Sequence, residues 1–206
     1  MDRERFEKQK NFILEIDKEK SIFRQTHLSG GGRRENDAEH AWHMAVMCMI
    51  LSEYAEHSID KLKTMTMLLI HDLVEIYAWD TYAYAGVDAE EIHQREYAAA
   101  EKLYGMLPEE QGIYFMNLWK EFEEGKSPEA QFARTMDRIQ PMMLNAATDG
   151  RAWKEHKVRL SQIMKRNEHT AEGSSVLWDY ALKHFIMPHV ESGEIIDDET
   201  HSTGLK

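Results

Sequence analysis

One cysteine, four prolines and eleven glycines are spread over 206 residues. Cys48 therefore has no partner for an internal disulfide, which fits a reducing compartment and makes a cytoplasmic location the expectation. Its neighbours Met47, Met49 and Ile50 mark it as a buried small hydrophobe rather than a nucleophile. Long hydrophobic runs are missing too. The longest nearly uncharged apolar stretch, residues 65–71, falls far short of the ~20 residues that cross a bilayer, and the opening MDRERFEKQKNF is charged where a signal peptide is apolar. No membrane partner is expected. Positive charge is scarce as well: 25 Lys and Arg against 37 Asp and Glu leave a net charge of −12. Such a field repels extended nucleic acid, while a small phosphate ester held by one or two arginines remains within reach.

What is present is enough apolar material for one core. Hydrophobic residues make up 42% of the chain, with thirteen Met and five Trp. With so few breakers, apolar spacings of three and four argue for helices over strands. The expected fold is all-α: a single domain over residues 1–191 with about eight helices, followed by a flexible tail over 192–206. The helices are expected near residues 5–18, 38–55, 60–76, 88–104, 108–124, 128–147, 151–166 and 175–190. Asp37, the stretch Ser58 to Asp60, and Ser127 ahead of Pro128 supply start signals. Gly30, Gly31 and Gly32 read as a flexible loop before Arg33 and Arg34.

The informative residues are polar ones at positions that ask for burial. After the apolar run MTMLLI come His71 and Asp72, and Glu75 follows one helical turn after His71. A buried carboxylate needs a cation, a hydrogen-bond network or an exposed helix end. His40 and His43 repeat the pattern at the start of an earlier helix. Asp137 shares a stripe with Ala130, Ala133, Met136, Gln140 and Leu144, and Pro141 removes the N–H that its carbonyl would bond. Taken singly, the His-Asp pair reads more readily as a structural contact than as a metal site, and Asp137 as an ion-pair partner of Arg134 or Arg138. Taken together, His40, His71, Asp72 and Asp137 offer two imidazoles and two carboxylates, a mixed set that suits a divalent transition metal with room left for water.

The order of His40, the doublet His71-Asp72 and Asp137 resembles the HD-domain phosphohydrolases. The segments ENDAEHAWHMAV, LLIHDLVEIYAWDTYAY and ARTMDRIQPMMLN are similar to those of the subgroup with bacterial 5′-deoxynucleotidases and eukaryotic HD-domain-containing 2 proteins, over residues 22–145. The resemblance implies that His40, His71, Asp72 and Asp137 hold one divalent metal ion (Mn, Co, Fe, Ni, Zn or Mg). It implies that Glu75 orients or activates the attacking water and that Asp80 contacts substrate. Arg24, or else Arg33 or Arg34, would bind the phosphate. Two positions depart from the pattern, Trp79 in place of a glycine and Gln25 in place of an aromatic residue, and both bear on the substrate pocket. His43 lies outside the ligand pattern and is expected to support it. The implied function is a metal-dependent phosphohydrolase that releases phosphate from (deoxy)nucleoside 5′-monophosphates, in a chain expected to form a homodimer. The alternatives are another phosphate ester, such as a nucleoside triphosphate or a cyclic nucleotide, and a non-catalytic helical binding module that keeps the metal for stability.

Overall fold

A computed structural model describes residues 2–78 and 89–198. The chain opens with α1 (Arg3–Ile16), capped by the Asp2 side chain on the Arg5 amide, and continues through a 3-10 turn, Asp17–Ser21. A short antiparallel hairpin follows, β1 (Phe23–His27) and β2 (Arg34–Asn36), with Phe23 opposite Asn36 and His27 opposite Arg34. This hairpin is the departure from an otherwise helical expectation. The glycine run is its turn: the Gly31 amide donates to the Leu28 carbonyl at 2.8 Å, and Gly31 and Gly32 take φ of 75° and 85°, which side-chain-bearing residues resist.

The helical body is α2 (Asp37–Leu51), α3 (Lys61–Ile70), α4 (Glu75–Ala78), α5 (Ala89–Tyr104), α6 (Glu109–Glu124) and α7 (Pro128–Ala147). It continues with α8 (Arg151–His156), α9 (Leu160–Arg166), α10 (Thr170–Gly173), α11 (Ser175–Ala181) and α12 (Met187–Glu191). Predominantly helical, the fold packs α7 through its centre, in contact with α2, α3, α6, α10 and α11. Met44, Cys48, Met67, Leu68, Leu103, Trp119, Phe132 and Met136 are sealed inside, so methionines fill the core and Cys48 is the buried hydrophobe its neighbours suggested. Among the described residues no helix is long and apolar enough to cross a membrane.

Several helix ends differ from the sequence expectation, each for a local reason. Asn36, not Asp37, caps α2: its side chain accepts from the Glu39 amide at 2.9 Å while Glu39 accepts from the Asn36 amide at 3.1 Å. This frees Asp37 to enter the interior. The helix expected over 60–76 stops at Ile70 and tightens into a 3-10 turn, His71–Val74, before α4. There the His71 ring takes the Leu68 carbonyl at 3.0 Å, which competes with the main-chain bond that would continue the α-helix. The helix expected over 151–166 breaks at Lys157, whose φ of 51° turns the chain so that Val158 can bury. The one expected over 175–190 passes through a π turn, Leu182–Ile186, just ahead of Pro188. Residues from Ser192, expected to lie free, are held as far as Asp198. Ile195 is buried, Ile196 pairs with Arg159, and Asp198 accepts from the Ser161 amide and hydroxyl. Residues 199–206 lie outside the described residues.

Candidate metal centre

Four elements deliver the polar cluster. The capping box fixes the first turn of α2 and so places His40; the 3-10 turn after α3 presents His71 and Asp72; α7 brings Asp137; and β1 brings Arg24. His40, His71 and Asp72 each offer a ligand atom within 4.8 Å of the others. Asp137 Oδ1 lies 3.2 Å from His40 Nε2 and 3.8 Å from His71 Nε2. Asp72 Oδ2 lies 3.1 Å from His71 Nε2. Donor atoms around a cation with bonds near 2.1 Å stand roughly 3 Å apart, so these spacings suit one ion. The histidine nitrogens are prepared for it. His40 Nδ1 donates to Gln140 Oε1 at 2.9 Å and His71 Nδ1 to the Leu68 carbonyl, so both Nε2 atoms face the carboxylates and each offers a ligand lone pair once it gives up its proton. His71 Nε2 is buried and makes no hydrogen bond of acceptable geometry, an orphan that a divalent cation would satisfy. The His/Asp cluster can coordinate such an ion.

The electrostatics agree. Burial favours the neutral form of each group, but His71 and Arg24 hold the Asp72 carboxyl below the usual carboxylate range. Against the same burial, Arg138, His40 and His71 hold Asp137 well below it. Burial alone would lower His71, yet Asp72 and Asp137 keep it well above its ordinary value. His40, opposed by burial and by Arg24, is still raised by Asp137 and Glu35. The carboxylates thus favour the protonated form of both imidazoles.

Asp137 satisfies both of its sequence readings at once: Oδ1 faces the histidines and Oδ2 meets Arg138 Nη1 at 3.4 Å. Of the three candidate phosphate arginines, Arg24 is the one in contact with the cluster, 2.6 Å from Asp72 Oδ2 and 3.1 Å from Asp37 Oδ1. Arg33 is taken by Glu39 and Arg34 faces Glu155 at 3.5 Å, both on the flank of the hairpin. Glu75 opens α4 directly after the 3-10 turn, with its Oε2 buried. Asp80 and Trp79 lie outside the described residues. Gln25 sits on β1 beside Arg24.

Of the supporting layer, the sequence singled out His43 but not its partners. Gln140, fully buried, donates to Glu35 Oε1 at 2.7 Å and lies 3.1 Å from His43 Nδ1, tying His43 and Glu35 to His40. The signal for Gln140 was its place one turn after Asp137 on the same stripe. Glu35 became legible only with the hairpin, whose second strand turns it inward. Glu19 is also buried, and burial with the nearby charges of Asp72 and Asp37 pushes its carboxyl up to about 7. No sequence pattern marked it.

A family model described as the HD domain matches residues 16–178. The chain belongs to the HD-domain family. Its helical fold and the clustered His40, His71 and Asp72 agree with that membership. A crystal structure of a protein named as a predicted metal-dependent phosphohydrolase, from Magnetospirillum magnetotacticum MS-1, superimposes with a TM-score of 0.86 at 40% identity, covering 93% of this chain and 95% of that one. The human protein named 5′-deoxynucleotidase HDDC2 is 30% identical over 115 residues, 56% of this chain and 54% of its own. Its Dictyostelium discoideum namesake is 32% identical over 117 residues, 54% of this chain and 61% of its own. The chain thus spans little more than half the length of the curated relatives it matches.

Proposed function

We propose that this HD-domain protein is a metal-dependent phosphohydrolase that releases phosphate from nucleoside 5′-monophosphates, with deoxynucleotides preferred. The observation that carries the reading is the convergence of His40, His71, Asp72 and Asp137 around one point with Arg24 alongside. The relatives named as 5′-deoxynucleotidases and the structural neighbour named as a phosphohydrolase support the substrate class. A divalent cation, when bound, supplies Lewis-acid polarisation of the phosphoryl group and a water of lowered pKa. His40, His71, Asp72 and Asp137 would hold it. Arg24, once Asp72 turns to the cation, has N–H donors for the phosphate oxygens. Glu75, one turn past His71, accepts the proton of the attacking water or aims its lone pair. Asp80 is assigned the sugar. The location is cytoplasmic and the assembly a homodimer, checked by light scattering.

The experiment is a released-phosphate assay of the protein, loaded in turn with Mn, Co, Fe, Ni, Zn and Mg, over the 5′-mononucleotides in ribo and deoxy forms. Turnover of deoxynucleotides is expected, with Asp72→Ala and Asp137→Ala lowering it at least about 100-fold, since each removes a ligand. A loaded protein inert toward every ester, including triphosphates and cyclic nucleotides, would leave only a metal-stabilised binding module.

A further inference from the structure

The hairpin that carries Arg24 is irregular at the place where Arg24 sits. Phe23 pairs with Asn36 and His27 with Arg34, so Arg24, Gln25 and Thr26 stand opposite the single residue Glu35. Such a bulge bends its strand and re-aims a side chain. The alternation of a regular strand is lost with it: Thr26 and His27 are both buried, and Arg24 turns in to Asp72 at 2.6 Å and Asp37 at 3.1 Å. A one-residue change of register would send that guanidinium to the other face. What holds the register therefore decides where Arg24 points.

The pair His27 and Arg34 closes the bulge, and one side chain from another element grips both. Glu155, on α8, accepts from His27 Nε2 at 3.1 Å and faces Arg34 Nη2 at 3.5 Å, both at Oε2, while its Oε1 accepts from Arg151 Nε at 3.0 Å. The His27 ring has no second anchor: its Nδ1 is buried and without a partner among the described residues. α8 is itself tied to the body. The Gly150 amide ahead of it donates to the Asn145 carbonyl of α7 at 2.9 Å, and Ala152 and Trp153 are buried. We infer that Glu155 is a positioning residue: by clamping the His27–Arg34 pair to α8, it fixes the bulge that aims Arg24 at the metal centre and at the phosphate of a substrate. The phosphate half of this inference rests on the hydrolase reading; the aiming of Arg24 does not. His27 and Arg151 hold the Glu155 carboxyl down to about 2, so the clamp stays charged at ordinary assay pH.

The test is a double-mutant cycle on the full chain, read first without substrate. In the metal-free protein the Arg24 guanidinium N–H resonances, identified by their loss in Arg24→Gln, are expected to move to the position of a free arginine in Glu155→Ala. A smaller move is expected in Glu155→Gln, whose carboxamide oxygen still accepts from His27. In the loaded enzyme Glu155→Ala is expected to raise KM for a 5′-mononucleotide about tenfold, with kcat kept within about twofold. Arg24→Gln and the double variant should then be alike, because Glu155 acts only through Arg24. Circular dichroism checks folding, and Glu155→Gln carries the cycle if Glu155→Ala does not fold. Additive losses, or Arg24 resonances that ignore both Glu155 variants, would overturn the inference. A chain that hydrolyses no ester while Arg24 still answers to Glu155 would support the clamp and count against the hydrolase reading alone.

Discussion

The side chain that most rewards substitution is Gln140, because it touches no candidate substrate atom yet sets the tautomer of His40. Gln140→Leu removes the acceptor for His40 Nδ1–H and strands Glu35. Loss of such outer hydrogen bonds costs about 10–100-fold in metal affinity, which a competition titration with a chelating dye would read. The raised histidines and lowered aspartates also predict how the metal-free protein responds to pH. A histidine raised in the fold contributes stability fully below its ordinary 6.5 and loses it as pH rises through the higher folded value. Asp72 and Asp137 contribute above the ordinary 3.8 and lose it as pH falls through their lower folded values. The cluster therefore favours the metal-free fold most between about 3.8 and 6.5, and its contribution declines on either side. Bound cation replaces the imidazole protons, so the alkaline decline should vanish in the loaded protein. Melting temperatures against pH, with chelator and with Mn, check both halves; parallel curves would contradict the account.

At the scale of elements, α7 is the post on which the site hangs, and its contact with α10 leaves no slack. Gly173→Ala pushes a methyl into the Gln131 carbonyl and the Thr135 hydroxyl, backbone and short side chain that cannot move aside. A loss of about 1–3 kcal/mol is expected in urea unfolding; a neutral result would show that α10 lifts off. The helices were legible because their apolar spacing is regular, and α7 was placed at 128–147 from Ser127, Pro128 and the stripe through Asp137. The four ligand candidates were legible for the converse reason, as polar residues inside apolar stripes. What escaped depends on tertiary contact. The hairpin has only a glycine run and three residues of second strand to announce it. Nothing in the order of letters shows that the His71 ring will capture the Leu68 carbonyl and change the helix type, or that β2 will turn Glu35 inward.

Across the whole molecule, the chain closes on itself near its described end. Ile195 is 1% exposed and is bracketed by the Ile195 amide bond to His189 and the Ile196 pairing with Val158 and Leu160. Ile195→Ala is expected to cost about 2–5 kcal/mol in chemical unfolding, as other buried truncations do. A loss under about 1 kcal/mol would mean that this segment rests on the body without packing into it. The region is remote in sequence from every candidate ligand, so metal affinity should hold while stability falls.

Arg24 straddles Asp37 and Asp72, a brace from the hairpin across to the turn after α3. The acids are therefore quieted before any ion arrives, and the pocket need not collapse when one leaves. An ion that binds would therefore enter a site already built.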